Sequence, residues 1–124
     1  MIKAVLMAAL AVFAAAAPAF GEIAAPGLVG SYVVTGTETD GKPYAGSRTV
    51  DIALAPSGAL ELQWDNGKYV GVGQVTGNVL AVACWAANRT VILMMNVNPD
   101  GSLSGTWWRR TDRGSKGTET WKKR

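Results

Sequence analysis

The sequence predicts an all-β fold: one small eight-stranded antiparallel meander, closed into a barrel and preceded by an N-terminal signal peptide. Three observations carry that expectation. Turn signals recur at hairpin intervals after the leader, and the stretches between them alternate in polarity or are rich in β-branched residues. Fifteen glycines and five tryptophans suit tight turns and an aromatic-filled interior better than they suit helices.

The turns are Asp40-Gly41, Pro56-Ser57-Gly58, Asp65-Asn66-Gly67, Thr76-Gly77-Asn78, Ala87-Asn88, Pro99-Asp100-Gly101 and Arg113-Gly114-Ser115. Asn-Gly and Asp-Gly supply the positive φ angles that tight hairpins demand. The segments they separate are Gly30 to Thr37, Tyr44 to Ala55 (bending at Gly46), Ala59 to Trp64 and Lys68 to Val75. Val79 to Ala86, Arg89 to Asn98, Ser102 to Arg109 and Gly117 to Lys122 complete the set. Ala59 to Trp64 alternates cleanly, with Leu60, Leu62 and Trp64 on one face and Glu61 and Gln63 on the other. Consecutive hairpins of similar length describe a meander, and closure of eight strands removes both open edges. Such a barrel is just wide enough to be filled by side chains or to hold one small ligand. A two-sheet sandwich is the structural alternative.

The leader is predicted at residues 1–21. Met1-Ile2-Lys3 is a short positive start, Ala4 to Ala17 is apolar, and Ala17-Pro18-Ala19 or Ala19-Phe20-Gly21 supplies a small-residue cleavage site. Residues 22–124 are then the barrel domain, periplasmic or secreted. Outward positions such as Glu61, Gln63, Thr118, Thr120 and Lys122 lack the apolar band of an outer-membrane barrel, so the processed chain is not expected to span a membrane.

Composition excludes most catalytic chemistry. There is no histidine and one cysteine, Cys84, so no metal site and no cofactor are expected. Phosphate loops and nucleophile elbows are absent from the sequence. The carboxylates Asp51 and Glu61 flank a hairpin and read as solvated. No enzyme is predicted. The net charge of +3 hides a gradient: seven basic and two acidic residues lie from Gly101 onward. That tail serves solubility, or contact with an acidic partner or anionic surface; nucleic acid is not expected.

Side-chain parity selects the candidate binding residues. Tyr32, Tyr44, Trp64, Tyr69, Trp85 and Trp121 are expected to line or plug the barrel. Trp107 shares parity with Leu103 and Gly105 and should point inward, placing Trp108 outside beside Arg109 and Arg110 as a partner surface or against the N-terminal segment. Glu119 shares parity with Gly117 and Trp121 and is expected to point inward, paired with Arg48, which shares parity with Tyr44, Val50 and Ile52. The pair is either a structural closure or a polar anchor in a ligand cavity.

Several short stretches resemble a family. Gly30-Ser31-Tyr32-Val33-Val34-Thr35-Gly36, Asp40-Gly41-Lys42-Pro43-Tyr44-Ala45-Gly46, Gly71-Val72-Gly73, Thr76-Gly77-Asn78-Val79-Leu80, Asp100-Gly101-Ser102-Leu103-Ser104-Gly105-Thr106-Trp107 and Gly117-Thr118-Glu119-Thr120 look like small exported bacterial proteins labelled fibronectin-binding. That resemblance implies adhesion to a matrix protein. Gly105-Thr106-Trp107 is similar to strand motifs of avidin-like and lipocalin-like barrels, which implies a ligand-holding interior. The expected function is therefore an exported, non-catalytic binding barrel whose partner is a small ligand or an extracytoplasmic protein. The alternative is a periplasmic inhibitor of a secreted hydrolase or protease, inserting the loose segment Glu22 to Leu28 into the enzyme.

Overall fold

A computed structural model describes residues 24–124. The predicted signal peptide, residues 1–21, lies outside the described residues. The strands are β1 (Gly30–Thr37), β2 (Arg48–Leu54), β3 (Leu60–Trp64), β4 (Tyr69–Thr76), β5 (Val79–Ala86), β6 (Arg89–Val97), β7 (Leu103–Arg109) and β8 (Gly117–Lys123). They pair antiparallel in sequence order, and β8 returns to pair with β1, so the sheet closes into a barrel as predicted. Closure leaves no open sheet edge. One-turn 3-10 helices occupy Ala25–Leu28 and Arg110–Asp112.

Turn chemistry explains the tight hairpins. Ala87 and Asn88 both take positive φ (51° and 61°) in the two-residue turn between β5 and β6, the arrangement whose twist matches the flanking strands.

The second strand is shorter than predicted. Pro43 makes one isolated bridge to Thr37, and Tyr44 N–H donates to the Gly36 carbonyl at 2.9 Å. Gly46 then turns the chain with φ of 75°, and regular pairing begins at Arg48 against Val34. Proline cannot donate to a ladder, and a left-handed residue cannot continue one. The segment Tyr44 to Ser47 is thus a bulging flap over one rim.

The two ends of the barrel differ. At the end where the chain enters β1, Leu28, Tyr32, Leu60, Leu80, Met95, Leu103 and Trp121 are all buried. Tyr32 Oη donates to the Leu28 carbonyl at 2.7 Å, and Trp121 packs edge-on to Trp64 with ring centroids 6.0 Å apart. Leu28 on the 3-10 turn caps this plug. The segment Glu22 to Leu28 is therefore not loose in its described part, because burying Leu28 fixes it against the core; residues 22–23 lie outside the described residues.

Candidate functional site

The opposite end holds a cavity of about 210 Å³. Its wall is Tyr44, Arg48, Trp64, Tyr69, Cys84, Val91, Leu93, Trp107 and Arg109, with Glu119 at its floor and Glu38 at its rim. Glycines beside the tryptophans help shape it. A Cβ on Gly117 would collide with the Trp107 ring, and one on Gly71 would come within 3.1 Å of the Trp64 ring. Each indole thus leans into space that another residue would occupy, rather than filling the lumen.

Glu119 organises the floor and is the buried charged residue of the described chain. Trp121 Nε1–H donates to Oε1 at 2.7 Å and Tyr44 Oη–H to Oε2 at 2.9 Å. Burial raises the Glu119 carboxyl above its ordinary range; the Trp121 and Tyr44 hydrogen bonds, the Trp64 indole and the Arg48 charge pull the other way without reversing it. Burial also pushes the Tyr44 hydroxyl upward, so it stays a donor. The Cys84 thiol is pushed up to about 11 by burial, with the Glu119 charge adding to it.

The expected Arg48–Glu119 ion pair is corrected. Among the described residues no ion pair joins them. The flap puts Tyr44 between the two: its hydroxyl reaches Glu119 while the Arg48 guanidinium carbon lies 4.4 Å from its ring centroid.

Arg109 is also corrected. It shares the inward parity of Trp107, lies 5.4 Å from that ring, and lines the cavity mouth instead of the outer wall. Asp112 holds it there, accepting from Nε at 3.1 Å and from a terminal guanidinium nitrogen at 2.9 Å. These hydrogen bonds keep the Asp112 carboxyl below its ordinary range. Arg110 is exposed on the following 3-10 turn. Trp108 faces outward and is half-buried, with the Lys116 ammonium 4.9 Å from its ring.

Of the remaining candidates, Trp64 and Trp107 line the cavity, whereas Tyr32 and Trp121 belong to the plug beneath it. Trp85 is corrected from lining to exterior. It is 54% exposed, because Leu80, Val82 and Cys84 take the inward positions of its strand. Cys84, Val91 and Leu93 also line the cavity; the sequence signal for them is inward parity with Leu80 and Val97.

Glu119 sets a pH dependence. The folded chain holds that proton to higher pH than the unfolded chain. The resulting stability is fully present below the ordinary glutamate value and is lost as pH rises through the folded value. Glu119→Gln keeps the shape and removes the titration. It is expected to flatten the decline in stability above about pH 4.5 and to raise stability at neutral pH, measured by urea denaturation across pH 4 to 8. A variant with an unchanged slope would contradict this.

No family model matches the sequence, and no curated protein matches it. Among the described residues no helix is long and apolar enough to cross a membrane, and no cluster of metal-ligating side chains occurs. Among solved structures, the chain is similar to the wild-type fluorescent protein UnaG, with a TM-score of 0.50 and 12% sequence identity. That alignment covers 77% of this chain and 96% of the other. At this identity the likeness is one of fold alone: a closed antiparallel barrel.

Proposed function

We propose that this protein is an exported, non-catalytic carrier that holds a small ligand in the open end of its barrel. The observation that carries the reading is the asymmetry of the two ends. One is packed solid around Trp121 and Leu28, while the other keeps a cavity of about 210 Å³ walled by aromatic rings over the hydrogen-bonded Glu119. Apolar walls with a few fixed polar groups are the usual composition of ligand sites. Export is supported by the charged start, the apolar run and the small-residue motif before Glu22.

Cys84 reports on occupancy because it lines this cavity and its thiol is pushed up to about 11. Thiolate is the reactive species, so iodoacetamide should modify the empty protein slowly at pH 7.5 and faster toward pH 11. Protein purified from its export compartment should carry a small-molecule adduct by native mass spectrometry. Stripping that adduct by organic extraction should speed the alkylation. Ligand-free protein whose Cys84 reactivity no small aromatic compound alters would refute the proposal.

A second reading rests on the outer wall. Val70, Val72, Trp85 and Met94 are 46%, 59%, 54% and 40% exposed, and the register places Val70 opposite Trp85. Such a patch supports contact with a protein partner, of which matrix adhesion is the form the sequence resemblance implies.

A further inference from the structure

We infer that the cavity takes a small planar aromatic anion, a one- or two-ring monocarboxylic acid, with its ring against Trp64 and Trp107 and its acid group on Arg48. This rests on the ligand-carrier reading and narrows it to a chemical class.

Size sets the first limit. About 210 Å³ lies below the roughly 300 Å³ at which pockets for drug-sized ligands begin. A long acyl chain or a branched multi-ring molecule would have to project from the open mouth into solvent. The wall sets the second limit. Tyr44, Trp64, Tyr69 and Trp107 present rings around the space, and ring pairs favour offset or edge-on contact with another ring.

Charge sets the third. Two guanidinium groups stand at the mouth against one rim carboxylate, Glu38, and the two guanidiniums are not equivalent. Arg109 is held by both oxygens of Asp112. Arg48 is half-buried and lies over the Tyr44 ring. Among the described residues it has no carboxylate within 4.0 Å and makes no side-chain hydrogen bond. A planar fork of donors beside a ring-walled cavity matches one carboxylate, which it can bind through two parallel hydrogen bonds. The Glu119 oxygens already accept from Trp121 and Tyr44, and burial favours their protonated form. The floor therefore offers little to a ligand cation, which would also have to pass both arginines.

The test is titration of the purified chain with 2-naphthoate, 2-naphthylmethanol and 2-naphthylmethylamine, followed by tryptophan fluorescence. Naphthoate is expected to bind at least tenfold tighter than the alcohol, and the amine weakest. Arg48→Gln should weaken binding of the acid at least tenfold and so remove its preference over the alcohol. Equal binding of acid and alcohol by the unmodified chain, or preference for the amine, would overturn the inference and leave the carrier reading standing. Binding of none of the three at millimolar concentration would overturn both. The unmodified chain decides the matter even if Arg48→Gln folds poorly.

Discussion

Trp121→Ala is expected to lower the free energy of unfolding by about 3–5 kcal/mol, the range for removing a large aromatic from a packed core. Trp121 is fully buried, with Tyr32 6.3 Å and Trp64 6.0 Å away between ring centroids. Its removal opens a void in the plug, which the closed barrel cannot collapse around without breaking ladder hydrogen bonds. The Glu119 Oε1 atom also loses its 2.7 Å donor, leaving a buried acceptor unpaired. For a domain of this size the loss corresponds to a fall in Tm of roughly 12 °C or more. Urea denaturation at pH 7 measures it directly. A loss below about 1 kcal/mol would mean that the plug is not the principal core.

Gly105→Ala is expected to be nearly as damaging, for a different reason. Gly105 lies opposite Met95, and an added Cβ would overlap the Met94 carbonyl oxygen and stand 2.8 Å from the Met95 Cα. Those are backbone atoms of the neighbouring strand, so no rotamer change relieves the contact. β6 and β7 would have to separate, at a cost of about 3 kcal/mol, the upper end of ordinary overpacking. Gly58→Ala is the comparison: it meets nothing within 4 Å but sits at φ of 89°, so backbone strain alone should cost about 1 kcal/mol. Chemical denaturation of both variants separates the effects. Gly105→Ala proving the milder of the two would contradict the close approach of these strands.

The barrel was legible because its turns are chemically explicit and its strands follow one another without crossover. Asp65-Asn66-Gly67 and Ala87-Asn88 are turns in the structure, all at positive φ, and the strands end where they begin. The flap was less legible. Alternation across Tyr44 to Ala55 reads as one strand, but Pro43 and Gly46 interrupt the ladder before Arg48. That interruption also placed Tyr44 between Arg48 and Glu119, a distance relation that parity cannot supply. Parity itself was readable for Arg109, since Leu103, Gly105 and Trp107 share its face; adjacency to the outward Trp108 grouped it with the outer surface instead. Trp85 failed because both faces of Val79 to Ala86 are apolar, so periodicity carries no sign there. Asp112, which anchors Arg109, has no signal in the sequence beyond its spacing of three residues.

The five tryptophans offer one measurement of the central claim that ligand enters the open end. Trp64 and Trp107 line the cavity, Trp121 donates to the glutamate at its floor, and Trp85 and Trp108 lie on the outer wall. Indole N–H signals in a nitrogen-15 correlation spectrum, assigned by single Trp→Phe replacements, should divide accordingly on titration with 2-naphthoate. Shifts at Trp64 and Trp107, with a smaller one at Trp121 and none at Trp85 and Trp108, are the expected result. Shifts confined to Trp85 and Trp108 would place binding on the outer wall and contradict the account.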